Sequence, residues 1–458
     1  MEKRHIHIQL SILILIFTAL TSCNKFLEKK SDDKLSTPTT LDDFSALLNL
    51  TGNMNVDFIS AGEVSADDYF LTDADYNGLF FESDKRQYTW QPDYVTRTYA
   101  EAGDEWYYTF RSIYVCNSVL QGLKDNNLQG SAADNIKGQA LAFRAIRYLD
   151  AVQIWAPVYN KQTAAKDLGM VIRLDPDMSI PSKRFSVQET YDQIIKDLNV
   201  AVELLPSKQA GLALPSKPVA LGYLARAYLF MGDYDKALKN AESALSYYDY
   251  LIDFNTLDLE ANYPIPAENL SSKEVLFRGS MFFAYPLSIA IAKISPDLYN
   301  LYDQNDLRKE VYFKKGTDGY YTFRGTHSGG QGLVTSITTS ELYLICAECY
   351  TRIGELSKAA DVLNKLLIKR YKTGSLKPIS FNDKNEALIV IKKERRKELV
   401  RRGLRWPDLK RYNRDGANIT LKRTVNGETY TLEPNDLRYA LPIPEDIIEV
   451  SGIQQNPR

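Results

Sequence analysis

The stretch Val219–Leu245, VALGYLARAYLFMGDYDKALKNAESAL, decides the fold. Leu221, Leu224, Ala225 and Tyr228 recur at three- and four-residue steps, as the buried face of a helix requires. Gly232-Asp233-Tyr234 then breaks the period with a glycine that tolerates left-handed backbone. Beyond it, Ala237, Ala241 and Ala244 line one face of a second helix with small side chains. Large residues facing small ones let the two helices pack closely antiparallel. A second copy lies at Ser340–Leu367, where Tyr343, Ala347, Tyr350, Gly354, Ala359 and Leu363 take the same relative places.

The pattern is that of a tetratricopeptide helix pair. Residues 246–339 separate the two copies, so they are not a tandem array, and further helices are expected to fill between them. Working outward, helical period returns over Trp106–Gln121, Asn135–Trp155, Tyr191–Leu205 and Asn385–Val400. Between Gly52 and Glu105 the chain lacks helical period and carries rings and acids, as does an insertion at about 250–332. Val425-Asn426-Gly427-Glu428 predicts a two-residue β-hairpin. The expected fold is therefore mainly α: a tetratricopeptide-like helical-repeat scaffold with long irregular loop insertions and a short β-hairpin.

The chain opens with Lys3 and Arg4 ahead of the apolar run Leu10–Leu20, too short to span a bilayer comfortably and suited to a secretory signal. Leu20-Thr21-Ser22-Cys23 follows, small residues before a cysteine whose thiol accepts a diacylglyceryl group. Several acyl chains, palmitate among them, anchor a protein stably because each buried CH₂ contributes ~0.8 kcal/mol. The expected organisation is a signal peptide over 1–22, a lipid anchor and polar tether over 23–40, and one folded domain over 41–458.

Formal net charge is −2, and the chain freed of Glu2, Lys3 and Arg4 stands one unit lower, so neither nucleic acid nor anionic lipid is indicated. Catalysis has little to work with. Removal of the signal leaves His327 as the one histidine, no nucleophile motif stands out, and Asp67-Asp68 or Asp73 and Asp75 on one loop are not an opposed carboxylate pair. Cys346 and Cys349 are spaced Cys-x-x-Cys without a second ligand pair, which favours buried thiols over zinc. Asp303-Gln304-Asn305-Asp306 offers oxygens for a structural calcium but matches no calcium loop. Thirty tyrosines and eighteen phenylalanines are the marked feature, giving ring faces to a core or to a sugar.

Lys392–Arg414 carries eleven basic and three acidic residues, expected here as an ion-paired brace in which Glu398 pairs with Arg402, Glu394 with Lys397, and Trp406 enters the core. Within it, Glu394-Arg395-Arg396-Lys397-Glu398-Leu399 and Gly403-Leu404-Arg405-Trp406-Pro407-Asp408-Leu409-Lys410-Arg411 resemble the C-terminal signature of the SusD/RagB family. Leu441-Pro442-Ile443-Pro444, Gln455-Asn456-Pro457, Trp155-Ala156-Pro157-Val158 and the lipidation motif at Cys23 are similar to that family as well, in the same order along nearly the whole chain.

The resemblance implies a non-enzymatic lipoprotein on the surface of a Bacteroidota outer membrane. It implies a partner, a SusC-like TonB-dependent transporter over which the protein closes after capturing a nutrient. The cargo it implies is an oligosaccharide; a peptide, or a purely protein-interacting subunit of the same importer, is the alternative. The family's ligand residues lie in poorly shared loops, so none carries over by motif. From the residues themselves, rings in the two irregular regions are the candidates: Trp90, Tyr94 and Tyr69 in the first, Tyr320 and Tyr321 in the second, with Tyr76 and Tyr285 nearby.

Overall fold

A computed structural model describes residues 37–92 and 104–458. Its long helices span Glu105–Asp125, Ser131–Trp155, Val187–Leu204, Lys217–Met231, Tyr234–Tyr247, Thr339–Ile353, Leu356–Leu367 and Lys384–Glu398. Each of the first six packs on the next, and Thr339–Ile353 then takes both Leu356–Leu367 and Lys384–Glu398 as neighbours. Ser131–Trp155 is buried on nearly every side, because helices flank it on both sides and the Leu41–Leu48 helix inserts Phe44 and Leu48 beside it.

Both predicted helix pairs are present. Lys217–Met231 ends at Gly232 (φ 81°) and Thr339–Ile353 at Gly354 (φ 92°). In each pair the next amide donates back five residues, Asp233 to the Tyr228 carbonyl (2.9 Å) and Glu355 to that of Tyr350 (2.8 Å), which closes the helix end. The expectation of helices between the pairs is overturned. Tyr234–Tyr247 packs directly on Thr339–Ile353, because Ala237, Ala241 and Ala244 let the backbones approach. Residues 248–338 instead leave the array and build a small core of their own, in which Phe254, Leu298, Tyr302, Tyr312 and Phe323 meet.

The segment 52–92, read as irregular, holds four short helices ending at Met54, Ser65, Asn77 and Tyr88. Strand content is confined to two-stranded antiparallel ladders. One is the predicted hairpin, Leu421–Val425 with Glu428–Leu432, whose Asn426 and Gly427 both take positive φ (52° and 78°). Another joins Tyr69–Phe70 to Lys293–Ile294, tying the two ring-rich regions together.

Most of the basic C-terminal segment is buried, and Arg395, Arg396, Lys397, Arg405, Arg411 and Arg414 each reach a carboxylate. Glu394 receives Lys397 (2.9 Å) as expected, and Trp406 is fully enclosed. Glu398 does not pair with Arg402. Its carboxylate accepts from Arg370 (2.8 Å) and Arg308 (3.2 Å), while Arg402 donates to the carbonyls of Val334 and Ser336. In the Asp303–Asp306 loop, whose oxygens leave a calcium open from sequence, Asp306 is buried between Arg308 (2.8 Å) and Lys397 (2.7 Å), and Asp303 accepts from Asn305 and Tyr371. Cys346 and Cys349 are buried free thiols, both held above the ordinary thiol range by burial.

Glu63 is a buried acid without a full partner. Gly403 N–H donates to Oε2 (3.1 Å), Oε1 has no hydrogen bond, and Arg401 lies 4.0 Å away. Burial, only partly offset by Arg401, pushes its carboxyl up to about 7. The folded chain therefore holds a proton on Glu63 between the ordinary carboxylate range and about pH 7, where the unfolded chain has lost it. Glu63 lowers stability as pH rises through that window. Chemical denaturation of Glu63→Gln from pH 4.5 to 7.5 is expected to show a flatter stability profile than the parent chain.

Candidate functional site

Burial divides the predicted rings. Trp90 is 3% exposed, and its indole N–H donates to the Ser65 carbonyl (2.9 Å). It closes the Glu82–Tyr88 helix in a left-handed conformation (φ 53°), with Gln91 N–H reaching back to the Arg86 carbonyl (2.8 Å). Such a position favours glycine, and a tryptophan holds it because the ring is packed inside. Tyr69 is buried as well and donates to the Val64 carbonyl (2.8 Å). Between them lies Arg423, its guanidinium 4.7 Å from the Trp90 ring, 5.1 Å from Tyr69 and 3.9 Å from Tyr88. It donates to the carbonyls of Val64, Ala66 and Tyr88. Trp90 and Tyr69 are thus walls of a buried cation site, and the expectation that they face a ligand is corrected.

Tyr320 remains exposed and meets half-buried Phe70 edge-on at 5.5 Å. Tyr321, next along the strand, points to the other face and stacks on Tyr299 at 3.9 Å and 20°. One face of Tyr321 is therefore occupied. Tyr94 and Cys23 lie outside the described residues.

A second group of rings was missed. The Glu105–Asp125 helix buries Trp106, Thr109, Ile113 and Cys116, which turns Tyr107, Arg111 and Tyr114 outward at i, i+4 and i+7. Tyr107 is 49% exposed. Arg111 lays its guanidinium over Tyr108 (4.7 Å) and Tyr107 (5.8 Å), steadied by the Gly52 carbonyl (3.0 Å) and by Asp57 (3.8 Å). From the insertion, Phe282 comes alongside Tyr108 at 5.6 Å, held by its N–H to the Phe58 carbonyl (2.7 Å). Phe283 follows, 69% exposed, then Tyr285. The outward spacing of Tyr107, Arg111 and Tyr114 is legible in the sequence; the meeting with Phe282 is not.

This ledge presents ring faces and one steadied guanidinium. Flat C–H surfaces stack on such rings, and hydroxyls accept from such a guanidinium. The acids considered for chemistry are committed elsewhere. Asp67 holds Arg405 through two bonds (2.7 and 2.9 Å) and also Arg396, Asp68 holds Arg396, and Asp75 completes the cap of its own short helix with Thr72. Among the described residues no group of three or more His, Cys, Asp or Glu side chains could hold a metal ion, and no helix is long and apolar enough to cross a membrane.

Comparison with known proteins decides the lineage. A SusD-like family model described as "Starch-binding associating with outer membrane" matches residues 25–229, and the SusD family model matches residues 298–458. The chain belongs to the SusD family. It is 26% identical over 422 residues to SusD-like protein P2 of Formosa agariphila, covering 77% of this chain and 79% of that one. A SusD superfamily protein of Bacteroides thetaiotaomicron shares the fold with a TM-score of 0.72 at 22% identity, over 92% of this chain and all of its own. A SusD-like carbohydrate binding protein of Bacteroides vulgatus does so with a TM-score of 0.69 at 21% identity, over 90% and 97%. SusD membership supports nutrient binding at the outer-membrane surface.

Trp90→Ala separates a core role from a ligand role. Removing a buried tryptophan ring costs about 3–5 kcal/mol. Urea denaturation is expected to show a loss of that order, whereas a loss of ligand retention with unchanged stability would contradict the buried assignment.

Proposed function

We propose that this SusD-family chain is the capture subunit of a nutrient importer. Acyl chains on Cys23 tether it to the outer membrane, it takes an oligosaccharide from outside the cell, and it delivers that cargo to a SusC-like TonB-dependent transporter. The observation that carries the reading is the ledge of Tyr107 and Tyr108 under the Arg111 guanidinium with Phe282 alongside Tyr108, three rings and a cation displayed on a helix and on a segment held by backbone hydrogen bonding. Rings fixed by their own packing lose little freedom when a sugar stacks on them, so the contact free energy is largely retained. Exposed Tyr320 with half-buried Phe70 offers a further stacking surface, and the free face of Tyr321 lies beside it in sequence.

The reading is of binding without turnover. Asp57 beside the ledge is engaged by Arg111, whereas glycosidic cleavage needs two opposed carboxyl groups. One matched model is described as starch-binding and one of the solved structures as carbohydrate binding, in keeping with this reading.

Tyr107→Ala combined with Phe282→Ala tests the ledge. Each ring contributes about 0.5–1.5 kcal/mol, so affinity-gel retention of a panel of neutral oligosaccharides is expected to weaken by about fivefold or more with little change in thermal midpoint. Retention equal to the parent chain would remove the ledge from the site. Binding of peptides in place of every sugar tested would transfer the reading to a peptide importer.

A further inference from the structure

A cavity of about 940 Å³ lies away from the ledge residues, where the insertion leaves the helix pair. Its size is that of a ligand pocket. The Tyr234–Tyr247 helix stops there, and Tyr247, Tyr248 and Tyr250 line the opening in an exposed row. Tyr248 and Tyr250 tilt towards each other at 6.4 Å, and Tyr248 is fixed by its hydroxyl to the Lys273 carbonyl (2.7 Å). The rim includes a tight turn in which Glu268 and Ser271 exchange both backbone hydrogen bonds (3.0 Å each) around Asn269 and Leu270. Leu270 takes φ 62° there, a left-handed conformation a leucine rarely adopts, and its side chain stands 64% exposed.

Arg278 sets this cavity apart. Its backbone is fixed twice, by N–H to the Leu212 carbonyl (2.7 Å) and by its own carbonyl, which accepts from Asn55 Nδ2 (2.8 Å). Its guanidinium makes no hydrogen bond, ion pair or ring contact among the described residues. Arginines buried elsewhere in the structure are matched instead: Arg144, Arg226, Arg308, Arg370, Arg405 and Arg411 each hold a carboxylate. Lys208 and Lys273 add positive charge to the lining against one acid, Glu268. Ser271, 4% exposed, also lines the cavity and its hydroxyl has no hydrogen-bond partner. The Lys217–Met231 helix begins at the same wall, with Ser216 making no side-chain cap bond. A helix start directs positive partial charge outward.

We propose that this tyrosine-lined cavity is a second ligand site, for an anionic oligosaccharide whose carboxylate or sulfate groups pair with Arg278 while its sugar rings stack on Tyr248 and Tyr250. The proposal rests on the reading above only in taking sugar as the cargo; the residues are different. Arg278 at the cavity and Phe282 at the ledge are four residues apart in the chain, a separation of at most about 13 Å. The structure thus offers neutral stacking at one end and charge recognition at the other.

Isothermal titration of the full chain with hexagalacturonate, with a chondroitin sulfate hexasaccharide and with neutral maltohexaose tests the site. At least one anionic probe is expected to bind, with affinity that falls as salt rises and drops by about tenfold or more in Arg278→Ala. Lys239→Ala, on the solvent face of the Tyr234–Tyr247 helix, is expected to leave that affinity unchanged. Which anionic probe responds separates carboxylate from sulfate. Failure of both anionic probes to bind, or equal loss in Lys239→Ala and Arg278→Ala, or no loss in Arg278→Ala, would overturn the proposal. Failure of the ledge would instead appear with neutral sugars in the Tyr107 and Phe282 variants, so the two outcomes are distinguishable.

Discussion

Glu398, at the end of the Lys384–Glu398 helix, accepts from two guanidinium groups that come from different parts of the chain. Arg308 belongs to the insertion and Arg370 to the segment after the second helix pair. Arg370 also holds Glu274 (2.8 Å) and the Ile252 carbonyl (2.7 Å), and Arg308 also holds Glu394 (2.6 Å) and Asp306. All these groups are buried. Burial alone would raise the Glu398 carboxyl, but Arg370 and Arg308 outweigh it and hold the group below its ordinary value. Charges withdrawn from water are tolerated only when matched in this way, and removing one partner leaves the others unpaired at several kcal/mol. The network therefore acts as a lock: the insertion is held where its charges are satisfied and nowhere else.

The same device explains how an irregular, ring-rich region keeps a defined surface. Asp67 and Asp68 receive Arg405 and Arg396 from the C-terminal segment, and Arg423 enters among Tyr69, Tyr88 and Trp90. Rings that surround a buried guanidinium are removed from solvent, and the remaining rings are left outside on a fixed base. The basic composition of Lys392–Arg414, which taken alone hints at nucleic acid, is consumed internally. Arg411 shows the pattern most simply, with Glu348 at 2.6 Å and Asp408 at 2.8 Å, and Glu348 is held down to about 2 because Arg411 outweighs the effect of its burial. Cations in this chain mostly build; the few left unmatched are where a ligand has something to meet.

Local patterns were legible and long-range ones were not. Gly232, Gly354, the Asn426-Gly427 turn and buried Trp406 each follow from a few neighbouring residues. The direct contact of the two helix pairs across residues 248–338 has no local signal beyond the small face of Ala237, Ala241 and Ala244. Trp90 misled because a helix end in left-handed backbone is read from glycine, and here a packed indole replaces it. Tyr107, Arg111 and Tyr114 could have been read as an outward stripe from their spacing, had the buried face of that helix been assigned first. The partner of that stripe, Phe282, lies far along the chain and is placed by a single backbone hydrogen bond to Phe58.

Hydrogen–deuterium exchange on Glu398→Ala tests the lock most directly. The account predicts a selective loss of amide protection in residues 250–275 and 296–323, with the Ser131–Trp155 and Val187–Leu204 helices as protected as in the parent chain. A uniform loss across all helices, or unchanged protection in the insertion, would contradict it.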